Sequence, residues 1–203
     1  MSFKLLTRTR SVLMATSVAA LAVPAIASAA CPTVATSKVF TPWGDSASYS
    51  LLTGGTFESA TTGWTMSNAA VTTGNEPWKV AGSTNSRSLV VKAGGSVASP
   101  WFCVGYENPT FRFFAHRTSG TWGGVYYRVR WYDASGVMQT TTLGYSEAAT
   151  FASWAPSGVL PLGSSLPLWQ GAQTLRAQLV LDVMAGGSDM AFDDVFVDPY
   201  MRS

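Results

Sequence analysis

Apolar and polar side chains alternate along a short stretch in the middle of the chain. Residues 124–133 read Gly-Val-Tyr-Tyr-Arg-Val-Arg-Trp-Tyr-Asp. In an extended strand, successive side chains point to opposite faces. One face therefore takes Val125, Tyr127, Val129 and Trp131, and the other takes Tyr126, Arg128, Arg130 and Tyr132. The turn-forming residues Asp133–Gly136 lead into a second run, 137–143, so the pattern predicts a β-hairpin.

The same alternation predicts further strands over 110–116, 174–183 and 190–197, and weaker ones over 71–73, 88–92 and 96–104. Clusters of Gly, Pro, Ser and Asn separate these runs, and no stretch sustains the 3.6-residue apolar period of a helix. Many short strands between turn signals favour a sandwich or barrel. We therefore predict an all-β fold, a two-sheet antiparallel β-sandwich of jelly-roll type.

The first thirty residues have the anatomy of a secretory signal peptide. Lys4, Arg8 and Arg10 precede an apolar run over 11–26, and small residues at 27–30 provide a cleavage site. The run is short for a membrane span, and a buried N-terminal helix is the alternative. We predict a signal peptide over 1–30, an extended N-terminal arm over 31–50, a β-sandwich domain over 51–203, and a secreted, extracellular protein.

The two cysteines, Cys31 and Cys103, predict a disulfide, because an exported chain with an even cysteine count favours pairing. The alternative is lipid attachment at Cys31, which would make a cell-surface lipoprotein. Ser28 stands where such signals have leucine, which argues against lipidation.

Charge limits the classes of partner. The predicted signal holds three of the 13 basic residues and none of the 11 acidic ones, so its removal leaves a nearly balanced charge without a polybasic run. Nucleic acid and acidic lipid are therefore not expected as partners. We expect a monomer without a membrane span in the mature chain.

Three segments resemble jelly-roll carbohydrate-binding modules, in the galactose-binding-like class of sandwich. They are Gly54-Gly-Thr-Phe-Glu58 with Gly63-Trp64, the hairpin residues 129–136, and Ala191-Phe-Asp-Asp-Val-Phe-Val197. The overall layout also resembles secreted actinobacterial proteins built on that module. Gly54 stands where such modules often have Asn.

The resemblance implies a structural Ca²⁺ ion between the opening glutamate, Glu58, and Asp193 or Asp194 of the closing strand. Carboxylate and backbone oxygens are ligands that Ca²⁺ prefers. The alternative is that an arginine or a set of backbone N–H donors compensates the buried carboxylate. No other cofactor is expected.

No catalytic residues are predicted. His116 is the only histidine, and Gly144-Tyr-Ser-Glu-Ala148 departs from the nucleophile elbow and follows that histidine in the chain. Strand alternation places Asp193 and Asp194 on opposite faces, where they cannot flank one glycosidic bond. The sequence therefore favours a protein that is not an enzyme; a small hydrolase with paired carboxylates is the less favoured alternative.

Aromatic and arginine side chains on the outer faces of the strands favour ligand binding, because rings stack on sugars and arginine donates to their oxygens. The candidate ligand-binding residues are Arg112, Phe114, Tyr126, Arg128, Arg130, Tyr132 and Arg176. The predicted ligand is extracellular or cell-wall carbohydrate. The alternatives are a structural or adhesive surface protein that binds another protein, and an ordinary solvated sheet face. Of the eight tryptophans, Trp64, Trp101 and Trp131 are predicted in the core.

Overall fold

The clearest strands, over 110–117, 124–132, 174–183 and 190–198, lie where the alternation predicts them. The weaker predicted strands 88–92 and 96–104 are instead one long strand, 87–98, followed by a short one, 102–105. A computed structural model describes residues 33–59, 61–105, 109–133, 135–162 and 174–198. Short 3-10 turns occur at Thr41–Trp43 and Ala148–Phe151, and the described part of the chain contains no α-helix. The strands are β1 Ser50–Leu51, β2 Thr65–Thr73, β3 Arg87–Ala98, β4 Phe102–Gly105, β5 Thr110–Arg117, β6 Gly124–Tyr132, β7 Met138–Glu147, β8 Ala155–Pro156, β9 Leu160–Pro161, β10 Thr174–Val183 and β11 Met190–Asp198.

The strands form one antiparallel sheet, in the order β7-β6-β10-β3-β11-β5-β8, that folds back on itself at β3. The C-terminal part of β3, residues 96–98, pairs with β10, whereas residues 89–91 pair with β11. The front layer is therefore β7, β6 and β10, and the back layer is β11, β5 and β8. This is the predicted jelly-roll β-sandwich.

Apolar side chains fill the space between the two layers. Val125, Tyr127 and Val129 of β6 and Leu179 and Leu181 of β10 are buried there, as the alternation predicts. Phe113 of β5 meets Tyr127 across the sandwich, with ring centroids 5.6 Å apart. Burying such a side chain stabilises the fold by about 1.5–3 kcal/mol, so this interior fixes which face of each strand points outward.

The predicted hairpin is β6 and β7, joined by a turn that Asp133 organises. Its carboxylate accepts hydrogen bonds from the Ser135 hydroxyl and amide, the Val137 amide and the Gln139 side chain. The Ser135 hydroxyl above all, with these other donors, lowers the pKa of Asp133 to about 2. Gly136 has φ +78°, a conformation that glycine adopts without strain.

The N-terminal arm is a closed loop, so the prediction of an extended segment is wrong. Ser37 and Tyr49 pair through reciprocal backbone hydrogen bonds of 2.8 and 2.9 Å. The loop lies on the outer side of the back layer, where Phe40 and Tyr49 are buried against Phe114 and Phe196. It leads directly into β1, which pairs with β11.

Three predictions concern residues that lie outside the described ones. The predicted signal peptide, 1–30, and Cys31 both do, so signal, disulfide and lipidation remain predictions. Cys103 lies on β4 and is not free. Within the described ranges, no helix has the length and apolar character to cross a membrane.

Candidate functional site

The outward surface of β7, β6 and β10 is called the front face below. The register between these strands determines which side chains are neighbours on it. Tyr126 of β6 lies between Tyr145 of β7 and Asp182 of β10. Farther along β6, Arg128 is aligned with Val180 and Arg130 with Gln178. Since neighbouring strands keep their side chains in step, these residues form consecutive rows on one surface.

Each end of β6 carries an aromatic pair. Tyr126 and Tyr145 have ring centroids 4.8 Å apart. At the other end, Tyr132 stacks on Trp101, at 5.1 Å with an interplanar angle of 25°. Tyr145 and Tyr132 remain 40% and 50% exposed, so both pairs present ring surface to solvent.

Polar partners hold the arginines between the two aromatic pairs. Arg128 forms an ion pair with Asp182, and its guanidinium carbon lies 5.7 Å from the Tyr126 ring centroid. Arg130 Nη1 lies 3.4 Å from Gln178 Oε1. Gln178 is itself buried, and its Nε2 donates to the Ser99 carbonyl at 2.7 Å. The face therefore presents fixed donors between two ring surfaces.

Five of the seven predicted ligand-binding residues lie on this face, namely Tyr126, Arg128, Arg130, Tyr132 and Arg176. Arg112 and Phe114 do not, and their assignment to the same surface is wrong. They lie on β5 in the back layer and are buried, Arg112 at 5% exposure and Phe114 at 0%. The cause is the N-terminal arm: Arg112 donates to Asp45 of the arm and Phe114 stacks on Phe40.

Sequence reasoning missed two residues of the front face. Trp101 is predicted in the core, but it follows Pro100 outside the strands and packs on Tyr132 instead. Tyr145 belongs to β7, whose alternation the sequence shows only as far as Leu143 before a register shift. Trp64 and Trp131 lie in or against the core as predicted.

The fold has counterparts among solved structures. A structure of the CBM22-1 and GH10 modules of Clostridium thermocellum xylanase 10B with xylohexaose matches at TM-score 0.52 and 14% identity, over 76% of this chain and 29% of that one. The CBM22-1 xylan-binding domain of Paenibacillus barcinonensis Xyn10C matches at TM-score 0.51 and 14% identity, over 73% of this chain and 93% of that one. The tandem CBM22-1-CBM22-2 domain of Paenibacillus barcinonensis Xyn10C matches at TM-score 0.53 and 14% identity, over 76% of this chain and 46% of that one.

This chain has the jelly-roll fold of those modules. No protein-family model matches the sequence, and no curated protein is similar to it. At 14% identity the likeness concerns the fold alone.

A second surface feature lies on the back of the jelly roll. A polar depression of about 570 Å³ is lined by Asn68, Ala69, Ala70, Thr72, Val90, Lys92, Thr118, Ser119 and Asp189. Lys92 and Asp189 form an ion pair of 3.0 Å in it, which leaves neither charge uncompensated. It contains no aromatic side chain, so it lacks the stacking surface of the front face.

Three buried carboxylates gather where the closing strand bulges. Glu76, Asp193 and Asp194 are each 0% exposed. The register of β11 against β5 shifts between Asp193 and Phe196, and Asp194 has φ +47°. A bulge redirects a side chain, so the prediction that the two aspartates point to opposite faces is wrong.

Backbone amides surround these carboxylates. Asp193 accepts hydrogen bonds from the Glu76 and Asp194 amides, at 3.1 and 2.9 Å, and Asp194 accepts one from the Ala81 amide at 3.0 Å. Glu76 accepts from the Trp78 and Val80 amides. Burial, and then the negative charge of Asp194, raises the pKa of Asp193 to about 8. Burial, and then the charge of Glu76, raises the pKa of Asp194 to about 7.

The predicted calcium ligands are distributed between the buried group and its surroundings, and, besides burial, the charge of Glu58 contributes to the raised pKa of Asp194. Glu58 lies outside the buried group, with Oε1 accepting from the Ser86 and Arg87 amides at 2.6 Å each. Within the described ranges, no group of three or more acidic, histidine or cysteine side chains is arranged to hold a metal ion. Oδ1 of Asp194 is buried without a hydrogen-bond partner. The donors to the other aspartate oxygens fit the alternative of backbone N–H groups, which leave Asp194 Oδ1 uncompensated, and a structural calcium ion remains a prediction.

Proposed function

We propose that this protein is a secreted, non-catalytic carbohydrate-binding domain that recognises extracellular or cell-wall polysaccharide on its front face. The observation that carries the proposal is the order of side chains on that face. Two exposed aromatic pairs, Tyr126–Tyr145 and Trp101–Tyr132, flank a row of arginines. Flat rings stack on the apolar faces of sugars, and planar polar groups hydrogen-bond their oxygens.

The dimensions of the face suit a chain of sugars better than a single one. Tyr126 and Tyr132 are six residues apart on one strand, which corresponds to about 20 Å at a rise of ~3.3 Å per residue. An oligosaccharide laid along β6 would touch one aromatic pair at each end and the arginines between them. The jelly-roll fold supports this function, because solved carbohydrate-binding modules share it.

Four of the described carboxylates are placed unfavourably for hydrolysis. Glu76, Asp193 and Asp194 are closed off from solvent, so a glycosidic bond cannot reach them. On the front face, Asp182 is engaged by Arg128. His116 lies on β5 in the back layer and packs against Trp154, at 5.6 Å between ring centroids.

Replacement of both front-face tyrosines tests the proposal. Tyr126→Ala together with Tyr132→Ala should abolish binding on a polysaccharide array while the melting temperature stays close to wild type. Trp78→Ala is the matched control, because it removes an exposed ring from the back of the sandwich and should leave binding intact. Retained binding by the double variant would overturn the proposal. A stable oligomer that buries the front face, seen by light scattering, would favour the protein-binding alternative.

A further inference from the structure

The charge of the front face is unevenly distributed along β6. At the Tyr126 end, Arg128 is neutralised by Asp182, and Glu147 follows Tyr145 on β7. At the Tyr132 end lie two further arginines, Arg130 and Arg176. We call the Tyr132 end, made of Arg130, Arg176, Gln178, Tyr132 and Trp101, the basic end of the front face.

Register brings the two arginines of the basic end together. Arg130 is aligned with Gln178, and Arg176 precedes Gln178 by two residues on the same strand. Both side chains therefore emerge on the outer surface as diagonal neighbours, whose Cα atoms are about 7–8 Å apart in an antiparallel pair. Their guanidinium groups can reach one common ligand group, or two adjacent ones, beside the Trp101–Tyr132 stack.

Neither arginine forms an ion pair with a carboxylate of the described residues. Among those residues, the basic side chains that form ion pairs are Lys92, Arg112 and Arg128. Asp133 lies near this end, but its oxygens are taken by its own turn. Residues 163–173, which precede β10, contain no acidic side chain. The contact of Arg130 with Gln178 is long, at 3.4 Å, and leaves most of its donors available.

We propose that the polysaccharide bound by the front face is acidic, with Arg130 and Arg176 as the residues that bind its carboxylate groups. This inference rests on the proposed function and specifies its substrate class. Guanidinium groups match carboxylates with paired hydrogen bonds and have no acceptor for a hydroxyl proton. A carboxylate would also relieve the repulsion between the two neighbouring positive charges. The sugar residue that carries the carboxylate can stack on the rings of Trp101 and Tyr132.

Matched pairs of polysaccharides that differ only in charge test this directly. The probes are polygalacturonate against its methyl ester, and glucuronoxylan against its carboxyl-reduced form, in affinity electrophoresis at 50 and 500 mM NaCl. We expect at least one acidic member to bind about tenfold or more tightly than its neutral partner. Its affinity should fall at the higher salt, because salt screens exposed charges. Equal binding of the acidic and the neutral member in both pairs would overturn the inference and leave the proposed function standing.

Variants separate this inference from the proposed function. Arg130→Gln with Arg176→Gln should lower affinity for the acidic member at least tenfold and bring it close to that of the neutral one. Lys38→Gln with Arg87→Gln is the control, since it removes the same charge from exposed positions away from the front face. An unchanged preference in the Arg130/Arg176 variant would overturn the inference. Failure of every probe, charged or neutral, to bind the wild type would overturn the proposed function as well.

Discussion

Arg112 binds Asp45 through a hydrogen bond of 2.8 Å between Nη1 and Oδ2, which joins β5 to the N-terminal arm. The same guanidinium donates twice to the Ser157 carbonyl, at 3.0 and 2.7 Å. Its carbon lies 4.1 Å from the centroid of the Phe40 ring. One buried side chain thus fastens the arm and the segment after β8 to the back of the sandwich.

We expect Arg112→Ala to lower the free energy of unfolding by about 3 kcal/mol, because it leaves Asp45 and the Ser157 carbonyl without their donor. Urea denaturation measures the loss. Arg87→Ala, at an exposed position, should change stability by less than about 0.5 kcal/mol. Equal, small effects of the two substitutions would show that the arm is held by its aromatic contacts alone.

The Asp45 carboxyl should make this attachment sensitive to acid. Burial by itself raises its pKa, but hydrogen bonds from the Ala47 amide, the Tyr49 hydroxyl and Arg112 outweigh burial and hold the pKa below its ordinary value. A lowered folded-state pKa contributes stability above the unfolded value, near 3.9, and that contribution is lost as pH falls through the folded value.

The comparison of wild type with Asp45→Asn isolates this contribution. The wild type should be the more stable at pH 7, and the difference should shrink by pH 3, as measured by urea denaturation at each pH. A difference that is constant from pH 7 to pH 3 would contradict the assignment.

Asp194→Asn should stabilise the protein. It removes a buried negative charge beside Glu76, and its amide nitrogen can donate to the Glu76 carboxylate, the side chain whose charge and hydrogen bond, besides burial, raise the pKa of Asp194. Asparagine also tolerates the φ of +47° at this position. In EDTA at pH 7.5 we expect a melting temperature about 2–4 °C above wild type, the shift that ~1 kcal/mol produces in a domain of this size.

The same experiment bears on the predicted calcium ion. If Ca²⁺ raises the melting temperature of the wild type but not of Asp194→Asn, the calcium prediction is supported at this group. A variant that melts below the wild type in EDTA would contradict our account of the buried carboxylates. It would mean that the charged Asp194 carboxylate stabilises the fold without a metal ion.

Trp101→Ala should weaken polysaccharide binding two- to tenfold, since an aromatic pair contributes about 0.5–1.5 kcal/mol beyond its buried area. Trp101→Phe is the matched control and should keep most of the affinity, because it still stacks on Tyr132. Isothermal titration with the tightest-binding polysaccharide measures both. If the alanine and phenylalanine variants bind alike, the ring at this position does not touch the ligand.

The sequence predicted the outward residues of β6 correctly because that strand has one buried side and one partly solvated side. Alternation between Val129 and Arg130 therefore matches burial on β6, whereas on β10 the outward Gln178 and Val180 are buried as well, at 7% and 2% exposure. On β5 the rule fails, since Phe114 and Arg112 are covered by a segment about 70 residues away in sequence. The periodicity of one strand does not show whether a distant segment packs over its outward face.

The buried carboxylates illustrate a second limit. Strict alternation separates Asp193 from Asp194, but a bulge turns both into one buried group. The third member, Glu76, lies 117 residues before Asp193 and was not predicted at all. The only local feature of Glu76 is that it follows Asn75 in a loop. Many exposed loops contain such a pair, so the sequence does not indicate that this glutamate is buried.

Chemical-shift mapping with a bound oligosaccharide tests the central claim most directly, namely that the outer surface of β6 and β10 is the binding site. We predict the largest backbone shifts at Tyr126, Arg128, Arg130 and Tyr132 and along the facing residues of β10. Shifts confined to the depression around Lys92, Ser119 and Asp189 on the back of the jelly roll would contradict that claim.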